Sequence, residues 1–159
     1  MSWLNGPPPR NVLSVLLTLT ATATDDVPDA SDVGHLLHKH PDRVQTFELS
    51  VGTATVLYPE STRARCTAAL LLDVDPIELA RSRFRRGTDG FALGQYVNDR
   101  PYAGSSMLAV ALSRVFKSAL AGVCKTRPEL AEAALPLRIT IPAMPARGGA
   151  DLPGRLFGP

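Results

Sequence analysis

Five consecutive apolar residues, Ala68-Ala69-Leu70-Leu71-Leu72, constrain this chain more than any other feature. A run with no polar face must be buried on both sides. At this length, closed by Asp73, it reads as an interior strand over Cys66 to Val74. The run is far short of the roughly 18 residues that a membrane span needs. So is Val12 to Leu19, which Ser14 and Thr18 interrupt. Within that second segment Leu13, Val15, Leu17 and Leu19 alternate with other residues, as on a strand with one face in the core.

The rest of the chain surrounds these strands with mixed elements. Ser31 is placed to cap a short helix that ends near Lys39, before Pro41. Val44 to Val51 and Ala54 to Tyr58 read as a hairpin turning at Gly52-Thr53. Asp75-Pro76 opens a short helix. The longest helical pattern runs from Ser105 to Leu120, capped by Ser105 or Ser106, with Leu108, Leu112 and Val115 on one stripe. Gly122 stands where a left-handed residue closes a helix. A short helix over Pro128 to Ala134 and a strand over Leu137 to Ile141 follow. This order predicts an α+β fold with a mixed, mainly antiparallel sheet packed with helices. Residues 1 to 10, with Pro7 to Pro9, read as a flexible proline-rich tail, and 11 to 159 as one domain.

Composition narrows the function classes. The chain has 159 residues, 45% of them hydrophobic, and a net charge of +2. That is enough to bury a core and too mild to mark a nucleic-acid binder by charge alone. Two cysteines, Cys66 and Cys124, exclude a disulfide-rich fold and fit a cytoplasmic setting. Neither a phosphate-binding G-x-x-x-x-G-K-[ST] loop nor a G-x-G-x-x-G turn occurs.

Three constellations carry some chemistry. His35 and His38 share a helix face at i and i+3 and can hold a metal, or simply decorate the basic end of that helix. Arg81, Arg83, Arg85 and Arg86, with Phe84 between them, can contact RNA, phosphate or an acidic partner, or form a solvated helix end. Asn98-Asp99-Arg100-Pro101-Tyr102 forms a polar cluster ahead of the long helix. It suits partner contact through Asn98, Asp99, Arg100 and Tyr102, or a turn held by its own side chains.

Longer motifs point to a family. They include Leu36-Leu37-His38-Lys39-His40-Pro41-Asp42-Arg43-Val44-Gln45, Tyr58-Pro59-Glu60 and Cys66 through Pro76. They continue through Tyr96 to Tyr102, Phe116 to Cys124 and Arg127-Pro128-Glu129-Leu130. From about Val12 to Phe157 the chain resembles the N-terminal region of the bacterial RNA 3′-terminal ribose 2′-O-methyltransferase of the RNA-repair complex. The resemblance implies a module without catalytic residues, whose partner is a polynucleotide kinase–phosphatase–ligase and which activates that partner's ligase. RNA is then met indirectly, through the repair complex, and no membrane is involved. In that family the catalytic half uses S-adenosylmethionine and a divalent metal. This chain holds none of its motifs, so it is expected to bind no cofactor and to be no enzyme by itself. The family's region runs past residue 159, so the chain is expected to be a truncated version of it. An autonomous RNA-binding domain built on the Arg81–Arg86 run is the alternative.

Overall fold

The computed structural model describes residues 13–50, 52–74, 100–142, 149 and 151–157. Among these residues five strands form one sheet: β1 (Leu13–Thr22), β2 (Gln45–Leu49), β3 (Gly52–Ser61), β4 (Arg65–Val74) and β5 (Leu137–Thr140), in the spatial order β2-β3-β4-β1-β5. Every pairing is antiparallel. The helices are α1 (Val33–Leu37), α2 (Arg100–Val115), α3 (Lys117–Leu120), α4 (Pro128–Glu132) and α5 (Leu152–Phe157), with a 3-10 turn at Ala30–Asp32 before α1. The expected α+β class is therefore observed.

The apolar run occupies β4, an interior strand paired along its length with β1. Cys66, Ala68, Leu70, Leu72 and Val74 are buried on one face. Across that face Val56, Leu70 and Leu17 stand side by side, all buried. Against them pack Ala30, Val33 and Leu37 from the α1 side, with Met107, Leu108, Ala111, Val115 and Phe116 from the α2 side. Among the described residues the core helices all lie on this face. The opposite face carries Thr18, Thr20, Thr55 and Thr67 around Leu16, Leu57 and Leu71. The hydroxyls of Thr20 and Thr67 lie 3.1 Å apart there. Among the described residues the helices pack on one side of the run, and on the other Ala69 is also buried, at 3%.

The structure corrects several local expectations. The hairpin closes at the pair Leu49–Gly52, so Gly52 begins β3 and is not part of the turn. Its φ is +143°, and a Cβ there would come 2.1 Å from the carbonyl oxygen of Asp73 on β4. Strand approach, more than turn geometry, demands the glycine. β3 also runs on past Tyr58, because a bulge sets Tyr58 and Pro59 against the single residue Ala68. A bulge is where an interior strand tolerates a residue that cannot donate. The first helical turn is capped by Asp29 and not by Ser31: the Asp29 carboxylate accepts from the Ser31 amide at 3.0 Å and from its hydroxyl at 2.6 Å. Those bonds, the hydroxyl one foremost, hold the Asp29 carboxyl below its usual range.

The long helix starts at Arg100, five residues before the expected cap. Ser105 and Ser106 are interior. The apolar stripe that marks the helix begins only at Met107, while Pro101 suits a first turn that has no amide bonds to make. At the other end α2 breaks at Phe116, with φ −111° and ψ 27°, and restarts as α3. The offset sends the Phe116 ring into the core. Beyond α3, Gly122 takes φ +66° as expected, and Val123 and Gly122 donate back to Ser118 and Ala119. No helix among the described residues is long and apolar enough to cross a membrane.

Candidate functional site

The described polar side chains of interest gather where α1 meets the segment 123–130. His38 ends α1 in the left-handed conformation, φ 54° and ψ 38°, the only positive φ at a non-glycine among the described residues. Its amide and that of Lys39 donate back to His35 and Gly34, which satisfies the last carbonyls of the helix. Gly34 is required below this closure, since a Cβ there would meet the Pro41 ring at 2.9 Å. The chain then turns through His40 to Asp42 into β2.

His35 and His38 both face the later segment. His35 Nδ1 lies 3.4 Å from Thr126 Oγ1, and His38 Nε2 lies 3.4 Å from the carbonyl oxygen of Val123. The two rings therefore serve different partners. No three His, Cys, Asp or Glu groups gather to hold a metal among the described residues. The reading of these histidines as the end of a polar helix accounts for the geometry. Replacing His38 with glycine should then raise stability by roughly 0.5–1 kcal/mol, because glycine takes this conformation without a Cβ clash. Thermal melts check this; a lower melting temperature would show that the imidazole is needed where it stands.

Beside the histidines lies a clamp that the sequence pattern does not announce. Arg127 Nη1 meets Asp32 Oδ2 at 2.5 Å, and its Nε donates to Glu129 at 2.9 Å. The bond from Arg127 holds the Glu129 carboxyl below its ordinary value. Beneath it, Val27, Cys124 and Leu130 form a small second core. The clamp joins residues far apart in sequence, so only Arg127-Pro128-Glu129, a charged pair around a helix-starting proline, hints at it. Its job is to fasten α4 to the start of α1. Lys39 and Tyr58 act similarly on the other side. Tyr58 Oη donates to the Lys39 carbonyl at 3.0 Å, and burial pushes the phenol pKa up. The Lys39 ammonium sits 5.0 Å from the Phe47 ring centroid.

The partner-contact candidates divide. Arg100 and Tyr102 lie in the first turn of α2, not in a loop ahead of it. Their side chains, with Asn98 and Asp99, lie outside the described residues, as do Arg81, Arg83, Arg85 and Arg86.

Among the described residues, fold and polar groups together define a module: a five-stranded antiparallel sheet with its core helices on one face, whose polar side chains fasten elements to one another. A family model described as the RNA repair, ligase-Pnkp-associating region of Hen1 matches residues 15–159. The chain belongs to that family. No curated protein matches it.

Proposed function

We propose that this chain is a non-catalytic module that binds a polynucleotide kinase–phosphatase–ligase and raises the activity of its RNA ligase. The family match over residues 15–159 carries this reading, since its description is of a region that associates with the ligase-Pnkp protein. In this proposal residues 11–159 act as one unit in the cytoplasm, bind no S-adenosylmethionine or metal of their own, and meet RNA only through the complex. A partner that brings no reacting group can accelerate a ligase only by binding its active conformation better than its inactive one. Tenfold activation corresponds to about 1.4 kcal/mol of such preference.

The first turn of α2 is the proposed contact. Arginine offers paired hydrogen bonds to a carboxylate and tyrosine offers rigid contact area, and both are frequent at interface hot spots. The double variant Arg100→Ala with Tyr102→Ala is expected to melt like the parent chain. It should also lose at least tenfold in ligase copurification and in ligase adenylylation together. Normal activation by a folded double variant would exclude this turn and make the Arg81–Arg86 run the next candidate. Affinity for RNA without the ligase, falling steeply with salt, would favour the autonomous RNA-binding reading instead.

A further inference from the structure

The two edges of the sheet are finished differently. At the β2 edge, Phe47 and Leu49 are half-buried against the core, and the Lys39 side chain closes over Phe47. At the β5 edge all four residues are exposed. The side chains of Leu137 and Ile139 sit in register with Ala21 and Leu19 and so extend the core face outward by one strand. Ala21 and Ala68, on that same face, are buried at 0% and 1%, yet Leu137 is 43% exposed and Ile139 60%. Among the described residues the helical layer leaves Leu137 and Ile139 largely uncovered. Among the described residues nothing pairs with the outer side of this strand. Arg138, which points to the other face beside Thr20, has no ion-pair partner among them.

Edge strands are ordinarily blunted by charge, proline, a bulge or a covering element, because their free amides and carbonyls accept a further strand. β5 has one charge with no ion-pair partner among the described residues, and two exposed aliphatic residues. We propose that β5 is the docking edge for the ligase partner, which adds an extended segment antiparallel or parallel to it. That segment carries apolar residues at alternate positions, against Leu137 and Ile139, and a carboxylate against Arg138. Main-chain bonds supply the attachment, and the alternating side chains supply the choice of partner. The charge of Arg138 fixes the sign that the incoming strand must bear, since like charges directly opposite are unfavourable. The proposal rests on the ligase-binding reading and extends it. One helical turn is too small for a stable interface, which takes about 800 Å² on each side, and an added strand enlarges it.

The test uses the full chain and the purified kinase–phosphatase–ligase. The double variant Leu137→Lys with Ile139→Lys is expected to weaken copurification more than tenfold, and Arg138→Glu several-fold. Arg138 is exposed, so its variant keeps the parent's thermal melt even where the lysine variant folds poorly. Sedimentation of the chain alone is expected to give a monomer. If the parent chain binds the ligase and folded edge variants bind equally well, the edge is not the contact, and the ligase-binding reading survives. If the parent chain does not bind the ligase, both fall. If the chain alone sediments as a dimer that Ile139→Lys dissociates, the edge serves a second copy and the proposal is overturned.

Discussion

Alanine in place of Gly52 is expected to destabilise the protein by roughly 2–6 kcal/mol, a large part of the 5–15 kcal/mol by which domains are ordinarily stable. Two costs combine. The φ of +143° is a conformation that residues with a Cβ rarely adopt, which costs on the order of 1–3 kcal/mol. The added carbon would also stand 2.1 Å from the Asp73 carbonyl oxygen and 3.0 Å from the Cα of Val74. Both are backbone atoms of a paired strand, so relief requires β3 and β4 to part, with an overpacking cost of about 1–3 kcal/mol. Gly122→Ala is the internal control. It too has a positive φ, +66°, but nothing lies within 4 Å of the point that an added Cβ would occupy. That change should cost about 1 kcal/mol. Urea denaturation of the two variants separates the contributions. Equal losses would mean that strand contact at Gly52 adds nothing to the conformational cost.

The sequence is most informative where one local pattern suffices. Alternation in Leu13 to Leu19 locates β1, the uninterrupted apolar run locates β4, and Gly122 marks the close of a helix. It is least informative where a tertiary contact decides. Nothing in the string around Phe116 signals a break, because no glycine or proline stands there; burial of the ring sets the kink. The start of α2 lies earlier than the pattern indicates because Tyr102 to Ser106 lack the apolar rhythm by which helices are recognised. Leu112, on the expected apolar stripe, is only partly buried, while Ala111 beside it is wholly so. The same division holds for function. The family is legible in long motifs, since these preserve residue order. The exposed edge at β5 is not, because Leu137 and Ile139 look like core residues until the sheet order puts them outermost among the described strands.

Leu70 and Leu71 turn that distinction between pattern and place into a measurement. They are adjacent, identical in chemistry and part of one apolar run, yet they point to opposite faces of β4. Leu70 is 1% exposed and is flanked on its own face by Leu17 and Val56, both buried. Leu71 is half-buried on the face where Leu16 is 39% exposed and threonines predominate. Truncating Leu70 to alanine removes buried methyl and methylene groups and leaves a cavity that a sheet pinned by β1 and β3 cannot readily collapse. The expected cost is about 2–5 kcal/mol. Leu71→Ala removes the same atoms from a site already in partial contact with water, and should cost about 1 kcal/mol. Denaturant melts with unchanged slopes give both values directly. A reversal of the order would put the core on the threonine face and the helices on the wrong side of the sheet. Losses of similar, large size would instead show that a second layer covers the threonine face in solution. In that case the run from Ala68 to Leu72 would be buried on both sides, as its unbroken apolar character first suggests.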